Sequence, residues 1–266
     1  MKLERIMLDD EGAYIDAYIA DQTAEFTRKA ILVIPGGGYG KVCADREGEP
    51  IAHAFIPYGY NAFVLNYYVE KEKPFPIQLI QATKAIKYIK DNAEELGIDP
   101  DELYVVGFSA GGHLAACTGI LWKLSELYKA VDMPYGYNKP RGVMLIYPVI
   151  NGHKGSFRNL LCAEEPEEAM LDKVCVDRHV DADSVPAFIM HTSNDQVVDV
   201  RDSLSLAMAY KAAGLQFEMH IYPDAPHGVA LGNKITSNKN PKHENSAIAE
   251  WIRMAAVWAE NLPENE

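Results

Sequence analysis

The chain has 266 residues, 48% hydrophobic and 24% charged, enough apolar material for a sizeable core, which excludes a disordered chain. Its 38 acidic against 25 basic residues leave a formal net charge of −13, a field that repels polyanions. The lysines are scattered rather than gathered into a basic stripe, so neither nucleic acid nor an anionic membrane is expected as a partner.

Residues Met1 to Asp10 mix Lys2, Glu4, Arg5, Asp9 and Asp10 with single apolar residues, and no secretion signal is expected from such a stretch. No apolar run approaches the roughly 18 residues that span a bilayer. The cysteines, Cys43, Cys117, Cys162 and Cys175, show no CxxC spacing, which argues against a zinc site or disulfide framework and for reduced thiols in a cytoplasmic protein. A Cys162–Cys175 bridge stays open.

In chain order, 13–20 alternates apolar and polar residues as a half-buried strand does. Residues 30–34, 61–65, 103–107, 143–147 and 187–191 are continuous apolar runs, the pattern of central parallel strands. Helical spacing joins Ile77, Ile80, Ile86, Ile89, Ala93 and Leu96, and again Ile248, Trp251, Ile252, Ala255, Trp258 and Leu262. Strand 217–222 alternates. Strand and helix in alternation predict the α/β class, a mostly parallel sheet covered on both faces, in a single domain over 1–266. Patterning lapses over 150–185, which reads as a small insertion over one end of the sheet. There Glu164, Glu165, Pro166, Glu167 and Glu168 suggest the acidic first turn of a helix, and the run itself a solvated surface.

Two glycine clusters follow strands. Pro35-Gly36-Gly37-Gly38-Tyr39-Gly40-Lys41 fails the dinucleotide fingerprint, which needs glycine where Lys41 or Cys43 stands. It also fails the P-loop, which needs glycine and Ser/Thr where Pro35 and Val42 stand. What remains is either a plain tight turn or a set of unobstructed N–H groups able to hold a developing oxyanion. Gly107-Phe108-Ser109-Ala110-Gly111-Gly112-His113 is G-x-S-x-G between a strand and a helix-prone stretch, Leu114 to Trp122. Its glycines let strand and helix approach, the turn lifts the Ser109 hydroxyl above the sheet, and the Ala110 N–H points into the same space. His113, four residues on, reads as a packed, hydrogen-bonded helix residue.

A serine hydroxyl needs an imidazole to take its proton and a carboxylate to hold that imidazole. In this architecture they follow in the order acid, then histidine. Asp195 stands in the polar loop after strand 187–191. Asp199 and Asp202 compete but sit where carboxylates cap a helix beginning near Arg201. His227, in Pro223-Asp224-Ala225-Pro226-His227-Gly228, stands in the loop after strand 217–222. His243 is its rival, while His53, His191 and His220 read as packing or surface.

With these residues in view the chain resembles the α/β-hydrolase superfamily. More narrowly it resembles bacterial acetylesterases related to acetyl xylan and feruloyl esterases and to hormone-sensitive-lipase-like enzymes. The matching words are Pro35 to Tyr39 with Arg46-Glu47, Gly59 to Tyr67, Gly107 to His113, Tyr147-Pro148-Val149, Asp195 with Val198, and Pro226-His227-Gly228. The resemblance implies a mostly parallel sheet of about eight strands, with Ser109 as nucleophile, His227 as base and Asp195 as orienting acid. It implies oxyanion donors from Gly37, Gly38 and Ala110, and an acetylated sugar or other short-chain ester as substrate. Many relatives open the oxyanion motif with histidine where this chain has Pro35, and have His-Gly where it has His191-Thr192. Arg46 and Glu47 are read as an ion pair or a helix-start feature.

The expected reaction is two-step ester hydrolysis through an acyl-enzyme, with no metal or organic cofactor. An amide- or peptide-cleaving enzyme with the same triad, and a non-catalytic ligand-binding module on the same scaffold, are the alternatives.

Overall fold

Eight strands hydrogen-bond in the order β1-β2-β4-β3-β5-β6-β7-β8 in the computed structural model, which describes residues 1–23, 26–152 and 154–263. The strands are β1 (Lys2–Met7), β2 (Tyr14–Ile19), β3 (Arg28–Ile34), β4 (Tyr60–Asn66), β5 (Ile98–Phe108), β6 (Gly142–Ile146), β7 (Ala187–Thr192) and β8 (Phe217–Tyr222). From β4 across to β8 every pairing is parallel, whereas β2 runs antiparallel to both β1 and β4. This is the α/β-hydrolase fold, with all five continuous apolar runs as neighbouring central strands.

Those runs are apolar at nearly every position because both sheet faces are covered, Asn61 and His191 being the buried polar exceptions. Ala30, Leu32 and Ile34 of β3 join one core, with Leu103 and Val105 of β5, Val143 and Leu145 of β6, and Ala187 and Ile189 of β7. The alternate residues Ile31, Val33, Tyr104, Val106, Met144, Ile146, Phe188 and Met190 join the other. The first core is closed by helices Ile77–Asp91, Ala110–Ile120, Lys154–Leu161 and Arg201–Ala212, the second by Glu49–Phe55 and Trp251–Glu260. Each fully buried Leu or Ile among them contributes about 1.5–3 kcal/mol relative to exposure.

Three expectations need correction. β1, sequence KLERIM, carried no strand signal, because an edge strand with both faces near solvent has no apolar alternation to show. β5 begins five residues before its apolar run, at Ile98, and its pairing with β3 shifts register between Arg28 and Ala30. In the 150–185 stretch, whose residue 153 lies outside the described residues, the helix starts at Glu168 with Glu167 as its cap. Glu164 and Glu165 precede it, exposed, so the acidic run is solvated but mostly not a first turn. All four cysteines are free thiols, so the Cys162–Cys175 bridge is absent. Among the described residues no helix is long and apolar enough to cross a membrane.

Candidate active site

The site is assembled at the carboxyl ends of β3, β5, β7 and β8, where loops from a parallel sheet converge. β5 delivers the chain to Ser109, whose φ of 54° and ψ of −119° turn it sharply into a helix starting at Ala110, four residues earlier than its hydrophobic pattern suggests. Such a backbone costs about 1–3 kcal/mol in a non-glycine residue. Close packing enforces it. A Cβ on Gly107 would stand 2.1 Å from the Gly111 carbonyl oxygen, and one on Gly111 would stand 2.1 Å from that of Ile34. Strand, turn and helix fit together only without those side chains. The Ser109 N–H donates to Ile146 O at 3.0 Å, and its carbonyl accepts from Val149 N at 3.1 Å.

Three residues from distant loops then touch in sequence. The Ser109 hydroxyl lies 2.8 Å from His227 Nε2, and His227 Nδ1 lies 2.6 Å from Asp195 Oδ2. The carboxylate can only accept, so the Nδ1 proton faces Asp195 and Nε2 is left to accept from the serine. The other Asp195 oxygen accepts the N–H groups of Val197 and Val198 at 2.8 and 3.0 Å. Although burial opposes the charge most, donation from His191, His227 and the Val197 N–H holds this carboxyl well below the ordinary range.

Beside the serine, the loop after β3 presents donors whose direction is fixed from behind. The Gly36 carbonyl accepts the Cys43 N–H at 2.9 Å, and the Gly37 carbonyl accepts those of Gly40 and Lys41 at 3.2 and 3.3 Å. Because a trans peptide sets its N–H opposite its carbonyl, these bonds turn the N–H groups of Gly37 and Gly38 away from the loop. Neither has an acceptor among the described residues, and the Ala110 N–H is likewise free at its helix start. Gly37 has a φ of 131° and no room for a side chain, since a Cβ would stand 2.1 Å from Lys41 O. Asn159, on helix Lys154–Leu161, donates to Gly38 O at 2.8 Å.

The rival residues fall elsewhere. His113 is buried between the Tyr39 hydroxyl and Val174 O, each at 2.7 Å, as a packed helix histidine. His243 is buried with its Nδ1 unpartnered and makes no bond to Ser109. His220 pairs with Glu218, and His53 is partly exposed against Tyr18. Asp199 bonds the N–H and guanidinium of Arg201 just ahead of the helix, whose N-cap is Val200 with no side-chain cap. Asp202 does not cap. It is buried and accepts from the N–H groups of Ile150, Asn151 and Gly152 at 2.7, 3.2 and 3.3 Å.

Two further expectations are revised. His191 is more than packing, for its Nε2 donates to Val198 O at 3.1 Å and lies 3.5 Å from Asp195 Oδ2, while Nδ1 meets the Ser203 hydroxyl at 2.7 Å. Arg46 and Glu47 form no ion pair. The Glu47 carboxylate, fully buried, instead accepts the Gly36 N–H at 2.8 Å and the Tyr147 hydroxyl at 3.0 Å. A glutamate in a polar stretch gives no sign of this, since its partners are a main-chain group eleven residues away and a tyrosine one hundred residues away.

The profile of the BD-FAE family matches residues 15–210, a span that includes Ser109 and Asp195 and stops short of His227. The chain belongs to the BD-FAE family. A relative by sequence is endo-1,4-beta-xylanase B of Butyrivibrio fibrisolvens, 34% identical over 215 residues, which cover 77% of this chain and 33% of that protein. Another is an acetylxylan esterase of Xylanibacter ruminicola, 27% identical over 216 residues, covering 77% of this chain and 42% of that protein. The chain therefore spans about a third to two fifths of the length of these curated relatives. Among solved structures, an acetyl ester-xyloside bifunctional hydrolase from Caldicellulosiruptor lactoaceticus superposes with a TM-score of 0.83 at 32% identity, over 97% of this chain and 95% of that one. The carboxylesterase Cest-2923 from Lactobacillus plantarum WCFS1 gives 0.86 at 26% identity over the full length of both.

Proposed function

We propose that this BD-FAE chain is a serine carboxylic-ester hydrolase that removes acetyl or other short acyl groups from carbohydrate or small-molecule esters. The observation that carries the reading is the continuous contact from Ser109 Oγ through His227 to Asp195, beside three unpaired main-chain donors.

Ser109 attacks the ester carbonyl as His227 Nε2 takes its proton, and Asp195, held anionic, stabilises the imidazolium. The oxyanion of the tetrahedral intermediate accepts from Gly37, Gly38 and Ala110, whose directions are set before substrate arrives. His227 returns the proton to the leaving alkoxide, and the acyl group stays on Ser109. Water, deprotonated by His227, attacks the acyl-enzyme, and Ser109 departs with its proton restored. Acetylated xylo-oligosaccharides are the favoured class, because the relatives' names join acetyl esters with xylan and xylosides. Among the described residues the 150–185 stretch forms only short helices, so long acyl chains gain little cover.

The test compares hydrolysis of aryl acetate, butyrate and octanoate, acetylated xylo-oligosaccharides and aminoacyl amides. Acetyl esters are expected to have the highest kcat/KM. A preference for the amides, or full activity in Ser109→Ala, would refute the reading.

A further inference from the structure

Glu47 stands behind the candidate machinery and touches none of the reacting atoms. It is 1% exposed, a rare position for a carboxylate unless its partners are good. One oxygen accepts the Gly36 N–H at 2.8 Å, at the root of the loop that carries Gly37 and Gly38. The other accepts the Tyr147 hydroxyl at 3.0 Å, and that hydroxyl in turn accepts the Ala230 N–H at 3.0 Å, three residues past His227. The Tyr147 ring meets the His227 ring edge to face, centroids 4.9 Å apart. Glu47 and Tyr147 thus join the loop after β3 to the loop after β8, past the carboxyl ends of the strands between them.

The backbone explains why such a tie is needed. Tyr147 and Ala230 hold φ values of 38° and 48°, in a region non-glycine residues seldom occupy, and Gly228, two residues before Ala230, holds 78°. Residues left in such conformations relax unless neighbouring bonds hold them. A Cβ on Gly36 would stand 2.9 Å from Glu47 Oε2 and 3.0 Å from the Ser109 Cβ, so the carboxylate and the serine flank the same glycine.

We propose that Glu47, acting through Gly36 and through Tyr147, is a positioning residue that holds the oxyanion donors and the His227 imidazole in one fixed relation to Ser109. The proposal rests on the esterase reading above. Its electrostatics are consistent with that place: burial raises the Glu47 carboxyl, and the Gly36 N–H, the Arg46 charge, His227 and Tyr147 oppose the rise. Arg46 reaches the same corner, its guanidinium 3.6 Å from where a Gly228 Cβ would stand.

The experiment measures kcat and KM for aryl acetate, with thermal midpoints and circular dichroism, in wild type, Ser109→Ala, Glu47→Ala, Glu47→Gln, Tyr147→Phe and the Glu47→Ala/Tyr147→Phe pair. All assays run well below the lowest midpoint, so each reading refers to folded protein. Glu47→Ala is expected to lose about 100-fold in kcat with KM moved by less than about threefold, because transition-state geometry and not substrate binding is disturbed. Glu47→Gln keeps an acceptor for Gly36 and a polar group for Tyr147, and should recover to within about tenfold of wild type. Tyr147→Phe should fall between, and the pair should be no worse than Glu47→Ala, since both act through one link. A merely structural role predicts lower midpoints with unchanged kcat in the folded variants. That result, or Gln no better than Ala, overturns the proposal. Should Glu47→Ala not fold, Tyr147→Phe and Glu47→Gln carry the same decision, full kcat in Tyr147→Phe overturning the link to His227. A wild type inactive on every ester removes the esterase reading and this role with it, whereas an active wild type with undiminished Glu47 variants removes the role alone.

Discussion

His191 Nε2 stands 3.5 Å from Asp195 Oδ2, the same oxygen that His227 Nδ1 reaches at 2.6 Å. Two imidazoles therefore face one buried carboxylate, and both help to lower its pKa. A carboxyl lowered by folding adds stability above its unfolded value of about 4, and that stability is lost as the pH falls through the lowered value. Replacing His191 by Leu removes one donor, so the variant should be less stable than wild type at neutral pH. The gap should narrow as the pH drops below the carboxylate range. Urea unfolding at a series of pH values measures it, and a gap independent of pH would show that His191 acts on packing alone.

Removing the proposed nucleophile should be the costliest single change. Ser109→Ala is expected to lower kcat by roughly 10⁶-fold and Asp195→Asn by roughly 10⁴-fold, since the second keeps the attacking group but misplaces the imidazole proton. Steady-state kinetics on an aryl acetate checks both, and labelling of wild type but not Ser109→Ala by a fluorophosphonate probe checks the first independently.

Gly37→Ala should disable the proposed oxyanion loop rather than unfold the protein. Its added methyl collides with the Lys41 carbonyl at 2.1 Å at a φ of 131°, so the loop moves and the donors of Gly37 and Gly38 lose their aim. A loss of about 10²- to 10³-fold in kcat is expected, the usual effect of losing an oxyanion donor. An unchanged kcat would move the oxyanion site elsewhere.

His113 supplies an acid-sensitive element outside the reacting groups. Burial pushes its imidazole down to about 4, while an unfolded histidine titrates near about 6.5. Its folded value is the lower one, so its stability contribution is complete above about 6.5 and disappears as the pH falls through about 4. The thermal midpoint of wild type should fall more steeply across that window than that of His113→Gln. Parallel curves would contradict this account.

Asp202→Ala should cost about 2–4 kcal/mol of stability by leaving the N–H groups of Ile150, Asn151 and Gly152 without their shared acceptor. Denaturant unfolding reads that loss directly.

Central strands were legible because burial on two faces writes an uninterrupted apolar run, as in 30–34 or 187–191. The loops holding Ser109 and His227 could be found because glycines and prolines mark turns after strands, and that of Asp195 because the polar run Thr192 to Gln196 ends a buried strand. What stayed hidden depends on partners remote in sequence. Strand β1 is defined by its pairing with β2, and helix Lys154–Leu161 by packing Phe157 and Leu160 into a core its own short pattern does not announce. Glu47, His191 and Asp202 look like any polar residue until the folded chain shows which main-chain groups they hold.

The Asn159 carboxamide that grips Gly38 belongs to the segment over the sheet end, not to the loop it steadies. Protein engineers who exchange that segment for a relative's, aiming to widen the range of acyl groups accepted, would remove this grip at the same stroke. Such a graft confounds selectivity with turnover unless an amide donor is rebuilt at the matching place.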